Sequence, residues 1–125
     1  MPRILVVDDE EQIRRVLKLT LERAGYEVDT AADGNEAVAV FDPARHDLVI
    51  TDIVMPFVSG VGVVSALKQK RPGIPVIAIT GFGKEPETAA MEKNADLVLS
   101  KPVKISFLTE QIARLIGLPR EEGAP

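Results

Sequence analysis

The chain has 125 residues, enough for one domain with a real core, and its 46% hydrophobic and 27% charged residues are ordinary for a globular protein. Nineteen acidic against fifteen basic residues leave a formal charge of −4, and no basic run exceeds Arg14-Arg15 or "KQKR" (Lys68–Arg71), both read as solvated helix positions; this balance argues against a nucleic-acid surface. The absence of cysteine removes disulfides and thiolate metal sites and makes a reducing cytoplasm the simplest home.

The first predicted element is the short apolar run "ILVV" (Ile4–Val7), which ends in the acids Asp8, Asp9 and Glu10. The run is too short for a signal peptide or a membrane span. From Glu10 to Ala24, Ile13, Val16, Leu17 and Leu21 fall at i, i+3, i+4 and i+8, one helical stripe, and Gly25 supplies the left-handed position that ends such a helix. A second strand is predicted over Glu27–Ala31 and a second helix over Asn35–Phe41. The segment "PARHD" that follows reads as a polar loop, with His46 as a plain surface residue.

A third run, "DLVIT" (Asp47–Thr51), delivers Asp52 at its end, and "MP" then stops regular structure. A helix over Gly60–Lys70 leads to the strand Pro75–Thr80, and a helix over Pro86–Lys93, closed by Asn94, leads to the strand Asp96–Ser100. The last helix spans Lys104–Ile116, with Ile105, Leu108, Ile112, Leu115 and Ile116 inward. The domain is expected over residues 1–118, and residues 119–125 read as a polar tail or the start of a linker.

Four of the five strands are continuous apolar runs, the pattern of strands covered on both faces by helices. Strand and helix alternating five times predict a doubly wound α/β domain with right-handed crossovers. In such a sheet the C-terminal ends of all strands open at one edge. Asp8-Asp9, Asp52, Thr80 and Lys101 each follow or close a different strand, so they are expected to meet there, with Asp52 at the rim rather than in the core.

Three carboxylates brought together repel, and a divalent cation relieves them. Oxygen ligands with no Cys or His nearby point to Mg²⁺. Lys101 adds a point charge and Thr80 a hydroxyl donor, the groups wanted around a transferring phosphoryl, and Asp52 is a competent nucleophile. Each residue has a plainer reading alone: Asp8 or Asp9 as a helix N-cap, Lys101 as a solvated loop lysine, Thr80 as a strand-end hydroxyl. The four together, each at the end of a different strand, outweigh those readings. No phosphate-loop or dinucleotide glycine pattern occurs, so nucleotide binding has no support.

The set "VVDDE", "DIVMPFVSG", "IAITG" and "SKPV", in this order, resembles the receiver domain of two-component response regulators over Arg3 to about Leu118. The resemblance implies a flavodoxin-like five-stranded parallel sheet of order 2-1-3-4-5 flanked by five helices. It implies Asp52 as phosphoacceptor and Mg²⁺ ligand, Asp9 as a direct Mg²⁺ ligand, Asp8 acting through metal-bound water, the Val54 carbonyl as a further ligand, and Thr80 and Lys101 bonding the phosphoryl group. It also implies a cis Lys101-Pro102 peptide, and a phosphohistidine donor on a sensor histidine kinase or histidine phosphotransfer protein. The expected product is a signalling switch rather than an enzyme in its own right, one that assists its own phosphorylation and dephosphorylation. An output partner would bind through the helix 4–strand 5–helix 5 face, with no nucleic acid or membrane bound by this domain.

Two departures stand out, one of them a stretch from Thr80 to Lys101 that is one residue shorter than the family pattern, a difference that falls in the fourth helix. The family's usual aromatic three residues before the lysine is Val98 here, so output is not expected to depend on an aromatic rotamer. Val54 and Phe82 are expected beside the path of a hydrolytic water and, being apolar, to prolong the phosphorylated state. A Mg²⁺-dependent phosphohydrolase and a receiver-like domain that binds without phosphorylation remain as alternatives. The missing second aspartate after Asp52 counts against the first, and the intact acids and lysine against the second.

Overall fold

A computed structural model describes residues 2–53, 55, 59–81 and 87–117. Among them the chain alternates strand and helix: β1 (Arg3–Val7), α1 (Glu11–Arg23), β2 (Glu27–Ala31), α2 (Gly34–Val40), β3 (Leu48–Asp52), α3 (Gly60–Lys70), β4 (Val76–Thr80), α4 (Glu87–Asn94), β5 (Leu97–Ser100) and α5 (Ile105–Ile116). The strands form one sheet of order 2-1-3-4-5, and every pairing is parallel. The predicted boundaries agree to within a residue at nearly every end. The expected tail, 119–125, and the Val54 and Phe82 positions lie outside the described residues.

The continuous apolar runs have the cause expected of them. Along β1, Leu5 and Val7 face one core with Val49, Ala78, Val63 and Leu67, while Ile4 and Val6 face a second with Ile50, Ile77, Leu21 and Leu108. Alternate residues enter opposite cores because successive strand side chains point to opposite faces. Three of the helices contribute a clear stripe: Leu17 and Leu21 from α1, Val63, Val64 and Leu67 from α3, Leu108 and Ile112 from α5. Two residues expected inward are not: Val16 is 54% exposed and Leu115 36% exposed. Both sit at the margins of stripes whose centres already fill the space over the sheet.

Helix starts follow local chemistry. Asp33 caps α2 by accepting from the Glu36 amide at 2.8 Å, and Ser59 caps α3 by accepting from the Gly62 amide at 3.4 Å. Gly25, at φ 104°, follows the end of α1 in the left-handed region, as its position predicted.

His46 overturns its sequence reading. It is 2% exposed and stacks on Phe41 with ring centroids 5.5 Å apart. The Asp42 amide donates to its Nδ1 at 2.9 Å, and its Nε2 lies 2.8 Å from Asp29 Oδ2. Arg3 binds both oxygens of the same Asp29 carboxylate and also pairs with Glu27, and the Arg3 amide donates to Asp47 Oδ2 at 2.9 Å. The starts of β1, β2 and β3 are thus tied together at the sheet edge away from the acids. The basic residues read as solvated also differ in part. Arg15 is exposed, but Lys68, Lys70 and Arg71 donate to the carbonyls of Ile74, Val38 and His46.

Candidate functional site

Because all strands run parallel, Asp8-Asp9, Asp52, Thr80 and Lys101 share one edge. The connection from β1 runs to β2 on one side and that from its neighbour β3 runs to β4 on the other, so the adjacent ends of β1 and β3 form the switch point at which a crevice opens. Asp52 closes β3 at that rim, yet it is only 6% exposed, so it is better covered than a rim position suggested. Thr80 closes β4, and Asp8, just beyond β1, is also buried.

Lys101 joins the parts. Its Nζ is 3.4 Å from Asp52 Oδ2 and 3.8 Å from Glu10 Oε1, and its backbone amide donates to the Thr80 carbonyl at 2.8 Å. The Lys101-Pro102 peptide is cis, as the resemblance implied. Burial pushes the Lys101 ammonium down, but the charges of Asp52, Asp8 and Glu10 outweigh it and hold the group above its ordinary value.

Asp8 carries the opposite strain. Burial first, and the neighbouring carboxylates of Asp52 and Asp9 after it, raise its carboxyl from 3.8 to about 6, against the relief given by the Glu10 amide and Lys101. Asp8, Asp9 and Glu10 each bring one carboxylate oxygen within 4.8 Å of the others. This oxygen-only donor set, with one member pushed toward its neutral form by burial first and by its neighbours' charge after it, suits a hard divalent cation. Asp52, expected among the ligands, stands outside that group of three, with its Oδ2 toward Lys101. The Val54 carbonyl lies outside the described residues.

Two participants escaped the sequence reading. Glu10 was visible as the third acid of "DDE" but had no strand-end position to single it out. Gly60 permits the close return of the chain after Asp52: its amide donates to the Ile53 carbonyl at 2.7 Å, and a Cβ there would strike the Asp52 carbonyl oxygen at 2.2 Å.

Val98 lies on β5 beside an open cleft. Ala78 is registered with Val98 and Thr80 with Ser100, and beside them opens a cavity of about 410 Å³ lined by Thr80, Thr88, Ala95, Val98 and Ser100 among others.

Residues 4–113 match the family model of the response regulator receiver domain. The chain is 41% identical over 115 residues to the probable transcriptional regulator ycf27 of Cyanophora paradoxa, covering 91% of this chain and 48% of that protein. It is 38% identical over 101 residues to the alkaline phosphatase synthesis transcriptional regulatory protein PhoP of Bacillus subtilis, covering 80% and 42%. The chain therefore spans about half the length of the curated relatives it matches. Among solved structures, a receiver domain protein from Clostridium thermocellum superposes with a TM-score of 0.86 at 36% identity, covering 93% of this chain and 94% of that one. The response regulator TrrA of Thermotoga maritima, crystallised in complex with Mg²⁺-BeF, superposes at 0.83 with 38% identity, covering 92% and 99%. Sequence match, strand order and the strand-end cluster agree: this chain belongs to the response regulator receiver domain family, the phosphoacceptor signalling domain of two-component systems.

Proposed function

We propose that Asp52 is the phosphoacceptor of this domain and that Asp8 and Asp9 hold Mg²⁺ beside it, with Glu10 in reach of the same ion. The observation that carries the reading is the Lys101 ammonium 3.4 Å from the covered carboxylate of Asp52, within an edge that also gathers Asp8, Asp9 and Thr80. An Asp52 carboxylate oxygen attacks phosphorus, the bond to the donor's imidazole nitrogen breaks, and the nitrogen keeps that electron pair. Lys101 pairs with the phosphoryl oxygens as charge shifts onto them, and the Thr80 hydroxyl donates to one of them. Mg²⁺ held by Asp8 and Asp9 would supply charge neutralisation to the phosphoryl group.

The donor is a phosphohistidine on a sensor histidine kinase or a histidine phosphotransfer protein, and the setting is the cytoplasm. Among the described residues no helix is long and apolar enough to cross a membrane. Assistance to its own phosphorylation and dephosphorylation comes from the same residues. The output surface is the face formed by α4, β5 and α5.

A small phosphodonor with Mg²⁺, followed by intact-protein mass, tests the assignment. One phosphoryl group is expected on the wild type and none on Asp52→Asn. Stoichiometric labelling of Asp52→Asn would refute Asp52 as the acceptor. Turnover of the donor without a labelled protein would favour the hydrolase reading.

A further inference from the structure

Asp8 is held at three points. Its amide donates to the Ala31 carbonyl of β2 at 3.1 Å, its Oδ1 accepts from the Glu10 amide at 2.9 Å, and its carbonyl accepts from Arg14 Nη1 at 2.7 Å. The first two bonds belong to the strand end and the tight turn after it. The third comes from a half-buried side chain one turn into α1, whose own amide donates to the Glu10 carbonyl at 3.1 Å. Glu10, the N-cap residue of α1, makes no side-chain cap. The guanidinium therefore reaches back across the helix start and closes the loop that carries the acids. Because a peptide unit is planar, fixing the Asp8 carbonyl also fixes the direction of the Asp9 amide and Cα.

We propose that Arg14 is a positioning residue for cation binding: by holding the Asp8 carbonyl it keeps the loop in the shape that makes the Asp8, Asp9 and Glu10 oxygens converge. The inference rests on the reading of those acids as the Mg²⁺ site. Without a cation the three carboxylates repel one another, and a loop free to relax splays them apart. Supports behind a ligand set commonly contribute about 10–100-fold to metal affinity.

A plain electrostatic role predicts the opposite sign. A positive charge beside a cation site repels the cation, so its removal alone tightens binding. Arg15 provides the comparison. It carries the same charge one residue on, its side chain is 78% exposed, and it pairs with Glu11 at 3.8 Å.

The experiment is a Mg²⁺ titration of the whole chain, followed by backbone amide chemical shifts, for wild type, Arg14→Gln, Arg14→Lys and Arg15→Gln. Arg14→Gln should raise the Mg²⁺ dissociation constant by about tenfold. Arg15→Gln should leave it unchanged or lower it slightly. Arg14→Lys, which keeps a charged donor within reach of the Asp8 carbonyl, should recover much of the affinity. The Lys variant also guards against misfolding of the Gln variant. If wild type binds and Arg14→Gln binds as tightly or more tightly, the positioning role is overturned while the Mg²⁺ site stands. If Arg14→Lys is as weak as Arg14→Gln although both are folded, a donor at that carbonyl is not what matters and the inference is again overturned. Absence of saturable shifts in the wild type would overturn this inference together with the site reading beneath it.

Discussion

Gly60 and Asp52 meet backbone to backbone: a Cβ on Gly60 would lie 2.2 Å from the Asp52 carbonyl oxygen and 2.9 Å from Ile53 Cα. The start of α3 therefore presses directly against the end of β3, and this contact turns the chain back just after the carboxylate. Gly60→Ala cannot be absorbed by a flexible side chain, because backbone is what it strikes. It should cost about 2–3 kcal/mol of stability, in the range of overpacked cores, and should slow phosphoryl incorporation beyond the fraction of chain unfolded. Denaturant melts beside phosphodonor labelling check both.

The raised carboxyl of Asp8, at about 6 against 3.8, sets a pH dependence. Between these values the folded protein keeps a proton that the unfolded chain has released. Stability without metal should therefore fall as pH rises through that window, by about 1–3 kcal/mol in all. Asp8→Asn keeps an acceptor for the Glu10 amide and removes the charge. In EDTA it should be more stable than wild type at pH 7.5, with little difference at pH 4. Equal stability of the two at pH 7.5 would refute the argument. Added Mg²⁺ should stabilise wild type more at pH 7.5 than at pH 5, where protons compete for the same oxygens.

His46 anchors the far edge of the sheet. The Asp42 amide donates to Nδ1, which assigns the proton to Nε2, facing Asp29. His46→Ala removes a stacked ring and leaves the Asp42 amide without its acceptor, for an expected loss of about 2–4 kcal/mol. Burial pushes the Asp29 carboxyl up, but its bonds from His46 and Arg3 outweigh that and hold it below its usual value. Its contribution is thus present at neutral pH and lost as pH falls below about 4. Without His46 that acid-labile contribution should shrink, so the stability of His46→Ala should depend less on pH below about 4 than that of the wild type, which an acid-unfolding series followed by circular dichroism would reveal.

Val98 borders the cavity of about 410 Å³ shared with Thr80 and Thr88. A ring added beside this open cleft is expected to be accommodated, so Val98→Phe should change stability by less than about 1 kcal/mol. Val63→Phe, in a fully packed position, should lose about 1–3 kcal/mol. Thermal melts of the two variants decide it, and an equal loss in both would show that the cavity does not admit a ring.

Much of the site was legible because its members are punctuated locally. Asp8, Asp52, Thr80 and Lys101 each stand where an apolar run stops, and a parallel sheet carries all such stops to one edge. Glu10 and Arg14 were harder to read. Both lie in the helix-start segment, where an acid or an arginine is ordinary, and only the turn of the chain shows one facing Lys101 and the other facing the Asp8 carbonyl. Gly60 was hidden for a related reason, since its task is set by a close approach rather than by any chemistry of its own.

The amino-acid sequence by itself determined the alternation of strands and helices, the burial of the sheet on both faces and the edge where the acids gather. Residue periodicity and the ends of apolar runs are local properties, and local geometry carries them through folding. Only the tertiary structure decided the partners of the polar groups. His46 is accommodated inside because Asp29, seventeen residues away, accepts a hydrogen bond from its Nε2, and Asp52 faces a lysine forty-nine residues further on. A polar side chain is stable inside only where a remote segment delivers its hydrogen-bonding mate, and no local pattern specifies that delivery.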